Sequence, residues 1–146
     1  SLEYYQKYIG GYHVKILFGQ TYRLLQQADA ALVTSGTATL EAALFKVPQV
    51  VCYHLSPGKL ISFIRRHVLK VRFISLVNLI ADREIVKELV ADTMTVANVR
   101  TELRNLLFDE KKRHEMLDGY EYMAERLGDP GAPHRAAVEM VKLLKK

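Results

Sequence analysis

The 146-residue sequence predicts an α/β fold, a parallel sheet with helices on both faces and a helical C-terminal tail. Three observations predict it. The runs Val14–Phe18, Ala30–Val33 and Gln49–Tyr53 are short and almost continuously apolar, the pattern of strands buried on both faces. Each is followed by apolar residues at helical spacing, the alternation that builds parallel sheets through crossover helices. And Ala30-Ala31-Leu32-Val33 leads directly into a turn of glycine and hydroxyl residues that opens a helix, Thr34-Ser35-Gly36-Thr37-Ala38-Thr39-Leu40-Glu41.

Leu2 to Ile9 carries a short helical pattern that Gly10-Gly11 ends. Val14 to Phe18 reads as the first strand, and Thr21 to Ala28 as a helix. The strand Ala30–Val33 and the helix Thr37–Phe45 follow, then Val47-Pro48 and the strand Gln49–Tyr53. Pro57 opens a basic helix at a position where proline is tolerated. Phe73 to Leu76 reads as a short fourth strand or an extended piece. Helices are expected over Asp82–Val90, Val96–Leu107, Glu110–Leu127 and Ala132–Leu144, the last two separated by Gly128-Asp129-Pro130-Gly131-Ala132-Pro133. This divides the chain into a domain over residues 1–108 and C-terminal helices over 109–146.

A chain that is 49% apolar and 25% charged is a normal globular composition with enough length for a real core. The single Cys52 lies in an apolar stretch, so a buried free thiol and a reducing compartment are expected, and no Cys/His spacing suggests zinc. No apolar run reaches the ~18 residues of a spanning helix. The chain starts Ser1-Leu2-Glu3, which suggests a fragment or a processed chain. Much of the net charge of +5 is local, in Lys59, Arg65, Arg66, Lys70 and Arg72, with no acidic residue from Ser56 through Asn78. A basic amphipathic segment of this kind suits an anionic membrane surface, or a surface helix packed on a sheet. Nucleic acid is not expected, because no reader motif accompanies the charge.

Strand, glycine turn and helix in that order make an anion site. The first N–H groups of a helix lack partners inside it, and the helix dipole adds partial positive charge there. Gly36 has no Cβ, so a phosphate can approach the backbone closely. Ser35, Thr37 and Thr39 add hydroxyls, and Glu41 sits one turn in, placed to accept from a sugar hydroxyl. The turn is neither the dinucleotide fingerprint nor a P-loop. A plain capped helix after a buried strand explains the same residues locally. Ligands of parallel sheets bind outside the carboxyl ends of the strands. That places Phe18-Gly19-Gln20, Thr34 to Thr37 and His54-Leu55-Ser56 on one shared rim.

The segment from Ala28 to Glu41 resembles the donor-site segment of GT-B glycosyltransferases, and within them the lipid-A-disaccharide synthase family. Phe73-Ile74-Ser75-Leu76-Val77-Asn78-Leu79-Ile80-Ala81-Asp82-Arg83-Glu84-Ile85-Val86-Lys87-Glu88-Leu89 is similar to that family's serine-leucine-x-asparagine-leucine signature and the acidic helix after it. Val47 to Tyr53 between them also fits, and the resemblance covers roughly residues 12 to 108. It implies the C-terminal, Rossmann-like half of a GT-B fold. The implied reaction transfers 2,3-diacylglucosamine from its UDP donor to 2,3-diacylglucosamine 1-phosphate. The products are the β-1,6 lipid A disaccharide phosphate and UDP. No metal or redox cofactor is implied. The acidic base belongs to the N-terminal half, so no catalytic residue is assigned here and the isolated piece is expected to be inactive.

The same resemblance implies that Ser35, Gly36, Thr37, Ala38 and Thr39 hold the diphosphate. Glu41 would accept from the ribose, Phe18 would lie at uracil, and Asn78 would lie near the donor sugar or phosphate. Gln20 is a weaker candidate, and Tyr53 and His54 rank below it. Each has a plainer reading: a helix-surface glutamate for Glu41, core packing for Phe18, a turn residue satisfying local backbone for Asn78. Acylated substrates imply a cytoplasmic enzyme peripheral to the inner membrane, with Lys59 to Arg72 as its contact. The C-terminal helices would pack on the domain, the missing half or another subunit, a homodimer being one outcome. Two other readings stay open: a different GT-B UDP-N-acetylglucosamine transferase or epimerase domain, and a non-catalytic Rossmann-like binding module.

Overall fold

A computed structural model of the chain describes residues 2–34, 36–53 and 72–144. Its elements are α1 (Leu2–Ile9), α2 (Thr21–Leu25), β1 (Ala31–Thr34), α3 (Thr37–Leu44), β2 (Gln49–Tyr53), α4 (Leu76–Ala81), β3 (Lys87–Val90), a 3-10 turn (Ala91–Thr93), α5 (Val96–Phe108), α6 (Glu110–Leu127) and α7 (Ala132–Leu144). The strands form one parallel sheet in the order β1-β2-β3. Thr34 lies opposite Cys52 and Tyr53 opposite Val90, so the carboxyl ends of all three strands share a rim.

Consecutive crossovers of the usual right hand between adjacent parallel strands put their helices on the same face. α3 and α4 accordingly pack against each other, while α5 packs on β2 and β3. Val50, Val51, Val77, Val86, Leu106, Tyr120 and Met123 meet in one buried core. Burial of β2 on both faces explains why its residues read as an unbroken apolar run.

α6 lies along the amino ends of the strands. Arg113 Nη1 donates to the Asp29 carbonyl at 2.8 Å just before β1. The Gln49 N–H, at the start of β2, donates to Met116 Sδ at 3.3 Å, and the Tyr120 hydroxyl donates to the Val47 carbonyl at 3.0 Å. Gly119 faces Ile85 ahead of β3, and Arg126 Nε donates to the Ile80 carbonyl at 2.8 Å near the end of α4. One helix thus closes the amino rim, and its Met116, Tyr120 and Met123 belong to the same core as the sheet. α1 and α7, by contrast, bury none of their residues.

Several elements differ from the sequence expectation. Val14–Phe18 is not a strand: an apolar run becomes one only where a neighbour pairs with it, and no described strand does. Val14, Leu17 and Phe18 are exposed instead. The helix expected over Asp82–Val90 is a turn followed by β3. Asp82 takes a left-handed conformation (φ 53°) that ends α4, and β2 then pairs with Lys87–Val90. Phe73 to Ser75 is the extended piece rather than a strand, with Ser75 capping α4. α2 also stops earlier than expected, at Leu25.

Candidate functional site

With the amino rim closed by α6, the carboxyl rim is where the sheet can meet a ligand. Three helices, α3, α4 and α5, begin there. Each presents N–H groups without intrahelical partners, and each end can be closed by a side chain or left for an anion. α5 is closed: Thr95 Oγ1 accepts from the Asn98 N–H at 3.2 Å. α4 is closed twice. Ser75 Oγ accepts from the Asn78 N–H at 3.3 Å. The Glu88 carboxylate, reaching from β3, accepts from the Ile74 N–H (2.9 Å), the Ser75 N–H (2.9 Å) and Ser75 Oγ (2.7 Å).

α3 is different. Its N-cap is Gly36, and among the described residues no side chain caps it. Gly36 has φ 130° and ψ −162°, a backbone that side-chain-bearing residues rarely adopt. A Cβ built there would meet no atom of the described residues within 4 Å beyond its chain neighbours. The glycine is therefore required by the backbone and, among the described residues, nothing crowds it, which is what a close anion needs. Thr37 and Ala38, in the first turn, are exposed on that side.

Thr39 is turned the other way. It is fully buried, its hydroxyl donates to the Gly36 carbonyl at 2.8 Å, and its own carbonyl accepts from Gln49 Nε2 at 2.9 Å. Its hydroxyl fixes the turn and does not face the open end. Glu41 is half-buried and lines a 430 Å³ cleft with Gly19, Gln20, Thr21, Tyr22 and Arg23. Stacking of Tyr22 on Phe45, ring centroids 5.3 Å apart, holds α2 beside α3 and so forms this cleft. Gln20 and Glu41 are thereby brought together. Arg23 joins them, a cation that the sequence reading did not single out although it sits one helical turn from Gln20.

Phe18 is 57% exposed, its ring against that of Tyr5 at 6.0 Å, outside both the core and this cleft. Asn78 is completely buried. Its Nδ2 donates to the Val86 carbonyl (2.9 Å) and Glu88 (2.8 Å), and its Oδ1 accepts from the Ile85 (2.7 Å) and Val86 (3.0 Å) N–H groups. Two donors and two acceptor positions are an amide's full capacity, so none remains for a ligand. Tyr53 ends β2 at the rim. Cys52 beside it is partly buried, which pushes its thiol pKa up and keeps it in the less reactive protonated form. Ser35, His54 and the basic segment from Lys59 through Lys70 lie outside the described residues. Arg72, at the end of that segment, places its guanidinium over the Phe73 ring at 5.0 Å.

A larger cleft, 560 Å³, lies at the opposite rim, lined among others by Arg83, Glu84, Lys87, Glu102, Lys112, Glu115 and Asp118. Its cations and carboxylates are interspersed, with Lys87 paired to Glu84 at 3.0 Å, so it offers no focused field for an anion. Among the described residues no group of three His, Cys, Asp or Glu is placed to hold a metal ion, and no helix is long and apolar enough to cross a membrane.

A family model described as Lipid-A-disaccharide synthetase matches residues 4–137. A lipid-A-disaccharide synthase of Myxococcus xanthus is 42% identical over 127 residues, which is 86% of this chain and 32% of the relative. One of Psychromonas ingrahamii is 44% identical over 119 residues, 82% of this chain and 30% of the relative. One of Solibacter usitatus is 34% identical over 145 residues, 99% of this chain and 38% of the relative. The chain thus spans about a third of the length of these relatives.

Proposed function

We propose, because the chain belongs to the lipid-A-disaccharide synthetase family, that it forms the UDP-sugar donor site of that glycosyltransferase. The observation that carries this reading is the open N-terminus of α3, which no described side chain caps, whereas side chains close the starts of α4 and α5. The N–H groups of Thr37 and Ala38, with the Gly36 backbone, would meet the donor diphosphate. Glu41 and Gln20, in the adjoining cleft, would meet the nucleoside. Arg23 adds a positive charge on the same side. Thr39 and Asn78 support this from behind, one through the Gly36 carbonyl and the other through the start of β3.

The complete reaction would pass 2,3-diacylglucosamine from UDP to the 6-hydroxyl of 2,3-diacylglucosamine 1-phosphate, with the base supplied by the remainder of the enzyme. As the glycosidic bond breaks, negative charge grows on the departing diphosphate. Fixed N–H dipoles already aimed at that position stabilise it without reorganising, which lowers the barrier. A substrate with acyl chains brings the enzyme to a membrane surface, and Lys59 to Arg72 supplies the matching charge. Charge reversal at Arg65, Arg66 and Lys70 should abolish sedimentation with anionic vesicles. Equal sedimentation of that variant overturns the membrane part of the reading.

UDP titration of the 146-residue chain, followed by backbone amide NMR, tests the site. Saturable shifts centred on Gly36–Ala38 and Glu41 are expected. A folded chain without them overturns the reading.

A further inference from the structure

We propose that Phe45 is a positioning residue of the donor site: lying outside the cleft, it fixes the cleft's α2 wall through its stack on Tyr22 and so sets affinity for the nucleoside end of the ligand. The inference rests on the donor-site reading above.

The two walls of the cleft are not equally secured. Glu41 belongs to α3, whose Ala42 and Ala43 are buried. The end of that helix is bonded firmly: the Phe45 N–H donates to the Glu41 carbonyl at 3.0 Å, and the Val47 N–H donates to the Ala42 carbonyl at 2.9 Å. Gln20, Tyr22 and Arg23 form the other wall. α2 has only five residues and buries none of them. A helix that short does not hold itself together in water. Among the described residues no hydrogen bond or ion pair reaches from α2 to another element. It meets the Phe45 ring instead, through Tyr22, with centroids 5.3 Å apart and planes at 25°. Phe45 itself does not line the cleft. Its backbone is bonded to Glu41 and its ring lies on Tyr22, so it spans the two walls. A stacked pair of this kind shifts a docked–undocked equilibrium by about two- to tenfold. A ligand that needs both walls loses affinity in proportion to the fraction of chains with α2 undocked. UDP is such a ligand. Inorganic pyrophosphate lacks the nucleoside and rests mainly on Gly36–Ala38.

The test is Phe45→Leu in the 146-residue chain, titrated with UDP and with inorganic pyrophosphate and followed by amide NMR, with a denaturant melt to establish folding. The Kd for UDP should rise about two- to tenfold, and the Kd for pyrophosphate should rise less. A purely structural Phe45 would lower stability without separating the two ligands. Tyr22→Leu removes the same stack from its exposed side and should give the same selective loss, with the double variant no weaker than either single one. Tyr22→Phe keeps the ring and should retain the affinity that Tyr22→Leu loses. A folded Phe45→Leu chain with unchanged UDP affinity, or with both ligands weakened equally, overturns the inference; so do losses that add in the double variant. Should Phe45→Leu fail to fold, Tyr22→Leu against Tyr22→Phe carries the same comparison, and equal UDP affinity in those two overturns the inference. An unmodified chain with no shift at Gly36–Ala38 overturns the donor-site reading and this inference together. A response there that Phe45→Leu leaves unchanged overturns the inference alone.

Discussion

Asn78 Nδ2 donates to Glu88 at 2.8 Å while Asn78 Oδ1 accepts from the backbone N–H groups of Ile85 and Val86. A single side chain thereby ties the start of α4 to the start of β3. Asn78→Ala leaves those two N–H groups and the Val86 carbonyl without their partner, two of the three contacts being fully buried. Unsatisfied buried groups cost about 1–3 kcal/mol each, so a loss of at least about 2 kcal/mol is expected in urea unfolding. Asn78→Asp should be worse, since it turns an oxygen towards both Glu88 and the Val86 carbonyl. UDP affinity of the folded Asn78→Ala chain should change little, because the amide has no capacity left for a ligand.

Gly119 is required by packing rather than by backbone conformation. A Cβ at this position would lie 2.6 Å from Ile85 Cγ2, a distance that real contacts do not reach. Gly119→Ala should destabilise by about 1–3 kcal/mol through overpacking. Ile85→Ala removes the obstructing atoms, so the double variant should recover part of that loss. A double-mutant cycle in chemical denaturation measures the coupling, expected at about 0.5–3 kcal/mol. Strict additivity would show that the two side chains do not compete for the same space.

What was legible in the sequence divides along the line between local and non-local causes. α3 and its glycine turn were read correctly because turn chemistry, helix spacing and the preceding apolar run are all local. The segment Asp82–Val90, expected as the acidic helix after the serine-leucine-x-asparagine-leucine signature, holds β3 instead. What makes it a strand is its pairing with β2, more than thirty residues away. Val14–Phe18 is the converse, a local strand pattern without a described partner. The site divides the same way. Gly36 and Glu41 announce themselves by residue type and position. Arg23 and Glu88 matter through what tertiary packing puts beside them, and Thr39 through a hydroxyl direction that no spacing rule reveals.

Tyr120 predicts an alkaline limit to stability. Its hydroxyl donates to the Val47 carbonyl and accepts from Gln49 Nε2, and burial raises its pKa well above the ordinary 10.0. Below pH 10 both folded and unfolded chains keep the proton, and the contribution is fully present. As pH rises past that value the unfolded chain releases the proton first, so stability falls by up to about 1.4 kcal/mol per pH unit from this group. Tyr120→Phe removes the titration and should flatten the alkaline limb. The same variant should be less stable at pH 7, because the Val47 carbonyl loses its buried donor. Melting temperatures from pH 7 to 11 check both; parallel curves for the two chains would count against the assignment.

Gly36 and Thr39 separate binding from stability at the candidate site. Gly36→Ala introduces a Cβ that meets no atom of the described residues beyond its chain neighbours, yet the φ of 130° remains. Such a backbone costs a residue with a side chain about 1–3 kcal/mol, and the new methyl stands where the diphosphate would lie. Stability and UDP binding should therefore fall together. Thr39→Val deletes only the hydroxyl that donates to the Gly36 carbonyl behind the turn. It should lower stability by about 0.5–1.5 kcal/mol, the ordinary worth of one hydrogen bond. UDP affinity should survive in the folded chain, because the Thr37 and Ala38 N–H groups remain. Isothermal titration with UDP, paired with thermal melts, distinguishes the two. If Thr39→Val abolished binding in a stably folded chain, its hydroxyl would have to leave Gly36 and turn outward to the ligand.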